Sequence, residues 1–181
     1  MKFQKTFYKN GKPIILTFRS LQPGDAKRAM YWINSFVDEK AYLGIQKMVT
    51  LREEKKWLSG TLSEIKKNNV VVLQALHKNS FVGSCEIRKR KLSSDSHTAD
   101  IGISVSRNFR CIGLGKFLMR WVMKEAKSKW KIKIVTLKVF GKNEPAITLY
   151  KKLGFKIAGE IPQGFKHYSK YETQVIMYKK L

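Results

Sequence analysis

The apolar positions of this chain change period several times, and each change marks an element. The run Pro13-Ile14-Ile15-Leu16-Thr17-Phe18 predicts a first strand; Pro23-Gly24-Asp25 then supplies a turn and an Asp placed to cap a helix. In that helix Ala29, Met30, Ile33 and Phe36 recur at helical spacing. Thr50-Leu51-Arg52-Glu53 is a capping box for a second helix carrying Trp57, Leu58 and Ile65. The tract 41–49 between them has no assignable period. Residues 70–76, 80–87 and 98–105 are short β-rich runs with short links, which implies antiparallel pairing. A helix over 113–129, a strand over 132–139, a helix over 143–153 and a strand pair within 155–178 follow. Strands first and then β-α-β-α-β imply a mixed sheet.

Apolar residues make up 43% of the 181 positions and aromatics 12%, enough for one packed domain spanning 1–181. No apolar run reaches the length of a membrane span, and the first residues lack the apolar stretch of a secretory signal, so neither a membrane nor export is expected and the expected address is cytoplasmic. Cys85 and Cys111 have neither metal-site nor disulfide-framework spacing and are expected to be reduced; no metal is expected. His97 and His167 are expected to face solvent, having no acidic or Cys partners at metal-site spacing.

Charge changes the picture more. Thirty-seven Lys and Arg against 13 Asp and Glu give a formal +24, a surface that attracts polyanions: a phosphorylated cofactor, an acidic peptide or nucleic acid. The excess is spread along the whole chain, as in a generally basic exterior. A nucleic-acid-binding module needs a basic stripe with exposed aromatics, and along the sequence the lysines show no such interleaving.

Candidate chemistry begins where Ile101-Gly102-Ile103-Ser104-Val105 runs through 106–109 into Arg110-Cys111-Ile112-Gly113-Leu114-Gly115-Lys116. Glycines at 113 and 115 let the backbone approach a ligand, and successive amides opening a helix present free N–H donors to a pyrophosphate. Leu114, Phe117, Leu118, Trp121, Val122 and Ala126 form the apolar stripe of that helix, whose first turn holds no carboxylate to compete with an anion. The loop is not G-x-G-x-x-G, and no βαβ unit brings an acid for a ribose, which argues against a dinucleotide site.

Downstream, Leu137, Val139, Asn143, Ala146, Leu149, Tyr150, Gly154 and Phe155 form L-x-V-x-x-x-N-x-x-A-x-x-L-Y-x-x-x-G-F. Together with R-x-x-G-x-G, in this order, the segment resembles the acetyl-CoA signatures of the GNAT superfamily of N-acetyltransferases, most strongly over 80–155. The resemblance implies a single-domain α/β GNAT fold: a mixed, mostly antiparallel sheet with a splayed parallel strand pair and flanking helices. It implies acetyl-CoA as cosubstrate and a primary amine as acceptor, a protein N-terminus or a lysine, with a small-molecule amine as the alternative. Outside that class, a non-catalytic acyl-CoA-binding protein and a nucleic-acid-associated module stay open. A ribosomal or acidic partner suits the basic surface, and either a monomer or a homodimer fits the sequence.

Carried onto this chain, the resemblance implies that backbone groups of Ile103, Ser104 and Val105 pair with pantetheine, with the Val105 N–H as oxyanion donor. The amides of Arg110, Cys111, Ile112, Gly113, Leu114, Gly115 and Lys116 would hold the pyrophosphate, Asn143 would bond near the pantetheine arm, and Tyr150 would face the sulfur as general acid. Lys151 and Lys152, which follow it, are placed to lower its phenol. For a general base, Asp100 on the strand leading to the acyl site comes first and Glu86 on the adjacent strand second. Many family members place a glutamate one residue before Asp100, where this chain has Ala99. Asn143 also suits a helix cap, and Tyr150 also suits core packing.

Overall fold

The computed structural model describes residues 1–181. Eight strands make one sheet: β1 (Lys2–Lys9), β2 (Lys12–Arg19), β3 (Val70–His77), β4 (Ser80–Lys89), β5 (Thr98–Val105), β6 (Ile134–Phe140), β7 (Lys156–His167) and β8 (Lys170–Lys180). Their order is β1-β2-β3-β4-β5-β6-β8-β7, and β5–β6 is the parallel pair among antiparallel neighbours. Helices α1 (Ala26–Asp38) and α2 (Leu51–Lys66) cover one face, where Val70, Val72 and Leu76 meet Ala29 and Leu58. On the other face α3 (Leu114–Trp130) and α4 (Glu144–Lys152) enclose the larger core, in which Val71, Leu73 and Ala75 of β3 join Leu118, Val122 and Tyr150. Alternate residues of one strand thus feed two cores. No helix is long and apolar enough to cross a membrane.

Pro13 to Phe18 lies in the second strand of the sheet, not the first. β1 is hidden in the sequence because KFQKTFYK sets two phenylalanines four apart among lysines and polar residues, without alternation. As an edge strand it buries only Phe7 and carries its charges outward. The signal that reveals it is Asn10-Gly11, both at positive φ (50° and 74°), which closes a two-residue hairpin with Lys9 opposite Lys12.

Asp25 also departs from expectation. It precedes α1, but its side chain does not cap that helix. Its carboxylate is 1% exposed and accepts from Arg19 Nη1 and Nη2, both at 2.7 Å, from Arg28, and from the Gln22 N–H at 2.8 Å. Burial alone would raise its pKa; the Arg19 and Gln22 hydrogen bonds and the two positive charges outweigh burial and hold it below the usual carboxylate value. A folded pKa below the unfolded one means the stabilisation is complete above the unfolded value and is lost as pH falls through the folded one. Asp25→Ala leaves the buried Arg19 unpaired and is expected to cost about 3–5 kcal/mol in urea unfolding at neutral pH.

Candidate active site

β5 and β6 start together and part. Thr98, Ala99 and Asp100 pair with Ile134, Val135 and Thr136, and there the parallel ladder ends. Beyond it β5 stays paired with β4 up to Val105 opposite Gly83, and β6 stays paired with β8 up to Phe140 opposite Gln174. A wedge-shaped gap opens between 101–105 and 137–140. Ser106 N–H donates to Val82 O, and Arg90 N–H to Thr98 O, so the even-numbered residues of β5 turn their backbone groups to β4. By the same alternation Ile103 and Val105 turn theirs into the gap. Ser104, expected to share that role, is instead paired with Ser84. The Val105 carbonyl accepts from Arg110 Nε at 2.9 Å, which leaves its N–H as the group facing the gap.

The loop at the wide end is a run of unpaired donors. From Cys111 through Lys116 no backbone N–H finds a backbone acceptor, because the first turn of α3 has none to offer and the preceding residues fold away from the sheet. The Arg110 amide, expected in the same run, donates to Arg107 O at 3.3 Å, and the Arg110 side chain ties the loop to Glu39 at the end of α1. Gly113 sits at φ 82°, and a Cβ there would meet nothing within 4 Å. Gly115 serves packing: its Cβ would come 3.1 Å from Leu149 of α4, so the two helices close together beside the gap. Cys111 lies exposed in the loop, Cys85 is buried, and both are free thiols.

Asn143 caps α4, its side chain accepting from the Ala146 N–H at 3.4 Å. Tyr150 lies on the inner side of α4, 8% exposed, its ring 6.0 Å from that of Phe155. Burial pushes its phenol pKa far above the usual value, and the Cys85 thiol adds to the rise. Lys151 and Lys152 point to solvent and do not reverse it. Cys85 stands opposite Ile103 in the β4–β5 register, and Tyr150 belongs to the same core as Cys85, against which Ile103 packs.

The carboxylates fall out differently from expectation. Asp100 is tied by Arg90, at 3.0 and 2.8 Å, and by Thr136 Oγ1. Its partial burial pushes the pKa up, but those bonds and the charge of Lys138 hold it below the ordinary value. It stands where the strands are still paired, about 10 Å along β5 from Ile103. Glu86 lies opposite Gly102, which is exposed and has no atom within 4 Å of where a Cβ would stand. The space above Gly102 is therefore open between Glu86 and the gap. Arg88 holds Glu86 at 3.0 and 3.2 Å. A carboxyl that the sequence did not single out, Glu54 on the inner side of α2, is 7% exposed, and burial raises its pKa.

The tract 41–49 and the β7–β8 hairpin meet beside Phe140. Gln46 bonds both the Lys166 carbonyl and the Tyr168 N–H, and Tyr168 Oη donates to Val37 O at 3.1 Å. His167, expected in solvent, is half-buried there: its ring lies 4.7 Å from Tyr42 and 5.6 Å from Phe140, with Nε2 3.3 Å from Ala41 O. A lone histidine between lysines and a tyrosine gives no sequence signal of such a cluster.

Residues 30–155 match the model of the acetyltransferase (GNAT) family. The L-amino acid N-acetyltransferase AaaT of Escherichia coli is 36% identical over 87 residues, 48% of this chain and 54% of that protein. An N-alpha-acetyltransferase of Sulfurisphaera tokodaii is 43% identical over 56 residues, 31% of this chain and 34% of that protein. The matched segment thus spans about half the length of the first relative and about a third of the second. Among solved structures, yncA, a putative acetyltransferase from Salmonella typhimurium with its cofactor acetyl-CoA, superposes with a TM-score of 0.78 at 18% identity, covering 92% of this chain and 94% of that one.

Proposed function

Because the chain belongs to the acetyltransferase (GNAT) family, we propose that it moves an acetyl group from acetyl-CoA to a primary amine, and that the preferred acceptor is an α-amine. The observation that carries this reading is the gap between β5 and β6, with two backbone N–H groups turned into it and a run of unpaired amides at its mouth. Those amides suit a pyrophosphate, and the gap suits an extended arm that pairs like a strand. Acetyl-CoA supplies the acetyl group as a thioester.

The residues then have separable tasks. Cys111 to Lys116 hold phosphate oxygens with their N–H groups. Val105, next to the loop, bonds the arm first; Ile103, deeper in the gap and packed against the core that holds Tyr150, donates to the carbonyl oxygen as negative charge develops on it. That order moves the oxyanion role from Val105 to Ile103. Tyr150 keeps its proton and hydrogen-bonds the departing sulfur. Glu86 accepts a proton from the incoming ammonium across the space above Gly102, directly or through one water. The neutral nitrogen adds to the carbonyl carbon, forming the C–N bond and moving charge onto the oxygen; collapse re-forms the carbonyl and breaks the C–S bond, and a second nitrogen proton ends on sulfur.

Support for an α-amine is energetic. With a reference pKa of about 7.7–8.0 it is roughly a tenth neutral at pH 7, whereas a lysine amine near 10.4 is neutral about four times in ten thousand. With one carboxylate to take the proton, the first acceptor is the better suited. Both curated relatives are named for transfer that an α-amine satisfies. The test offers labelled acetyl-CoA to free L-amino acids, to short peptides and to Nα-blocked lysine; label on the blocked lysine alone defeats the α-amine reading, and label on none of a broad amine panel defeats transfer.

Glu86→Gln is expected to lower kcat/KM by about 10²-fold near pH 7, the lower range for a general base. The deficit should shrink as pH rises through the acceptor's own pKa, since the amine then arrives neutral. Asp100→Asn should leave the pH profile unchanged. The reverse pair of results would return the base to Asp100.

A further inference from the structure

Lys116, Arg120 and Lys124 recur every four residues on α3 and so form one stripe, about 6 Å apart along the axis. Across from them on the edge strand stands Lys5, its Nζ 5.4 Å from the ring centre of Phe117. Between strand and helix runs a groove of about 450 Å³, with Phe117 and Trp121 in its wall and no acidic residue lining it. The four cations are exposed and none has a carboxylate partner. The expectation that basic residues and aromatics do not interleave fails on α3: each of Lys116 and Arg120 is followed by an aromatic that lines the same groove.

We propose that this groove binds a single-stranded nucleic acid, with phosphates on the four cations and bases against Phe117 and Trp121. Unpaired cations at regular intervals match a backbone of regularly spaced charges, and half-buried aromatic rings offer the stacking surface that a single strand presents bases to. An acidic peptide matches the cations but gives the aromatic wall no partner. The groove lies along α3 and β1, towards the β1 edge of the sheet, and one end of it reaches Gly113 and Lys116 in the loop at the mouth of the β5–β6 gap.

The test is fluorescence anisotropy of the whole protein with a labelled single-stranded RNA of mixed sequence, about twelve nucleotides long. The triple variant Lys5→Glu, Arg120→Glu, Lys124→Glu is expected to bind at least about tenfold more weakly, with the slope of log K against log salt lower in magnitude by about 2. A control, Lys55→Glu, Lys56→Glu, Lys66→Glu, makes the same change of net charge on exposed positions of α2 and should bind as the wild type does. Equal loss in the control would assign binding to overall charge and overturn the groove. Displacement of RNA by saturating coenzyme A would assign the groove, whose end reaches Gly113, to the cofactor and overturn the proposal likewise. So would groove-dependent binding of polyglutamate with no binding of RNA. Should the triple variant fail to fold, Lys124→Glu alone must lower the salt slope by about 0.7, and an unchanged slope is decisive against the proposal.

Discussion

Gly113→Val is expected to weaken acetyl-CoA binding by about 10²-fold while leaving the protein folded. Gly113 sits at φ 82° at the start of α3, where a β-branched residue is strained by roughly 1–3 kcal/mol. The strain is relieved by rotating the peptide units that aim the amides of 111–116, so the donors lose their common target. Nothing within 4 Å opposes a Cβ there, so the added side chain stands in open space beside those amides, where the proposed phosphate site lies, and not in the core. Gly113→Ala should lose less, having no branch. Calorimetric titration with a thermal unfolding control measures both effects; wild-type affinity in a folded Val variant would remove the loop from the account.

Tyr150→Phe is expected to lower kcat by about 10²-fold, with acetyl-CoA affinity nearly unchanged because the ring stays and the hydroxyl acts mainly in the transition state. Burial restricts the hydroxyl's role. With its pKa raised far above that of a thiol, near 8.5, complete proton transfer to sulfur is steeply uphill, so a hydrogen bond to the developing thiolate is the contribution that remains. The phenol therefore stays protonated through the working range, and the kcat profile should show no alkaline limb lost in the Phe variant. Single-turnover kinetics make chemistry the observed step. A wild-type rate there would leave Tyr150 as packing between Cys85 and Phe155.

How legible the molecule was depends on whether a signal is local. The Thr50–Glu53 box, the α3 stripe and the Asn143 cap each lie within a few residues, and each forms as the spacing predicts. The sheet runs β3 and β4 likewise read as strands because two covered faces demand apolar residues, and β5 because its apolar residues alternate with polar and glycine positions. What the sequence did not show was non-local. The particular partners of Asp100 were not legible because Arg90 is ten positions earlier and reaches it only across the β4–β5 turn, while Thr136 arrives from the neighbouring strand. Ser104 was grouped with its neighbours because the sequence does not say which residues of a strand turn towards the gap; the bonds of Ser106 and Arg90 fix that parity. His167 and the tract 41–49 have no pattern of their own, since each is defined by the other.

The gap between β5 and β6 as the place where acetyl-CoA pairs like a strand is tested most directly by amide hydrogen exchange, read residue by residue with and without acetyl-CoA. The N–H groups of Ile103 and Val105 should exchange freely in the free protein and slow by at least about tenfold on binding, together with those of 111–116. Ser104 and Gly102, already bonded to β4, should be slow in both states. Unchanged exchange at Ile103 and Val105 under saturating acetyl-CoA, with protection appearing only elsewhere, would contradict the account.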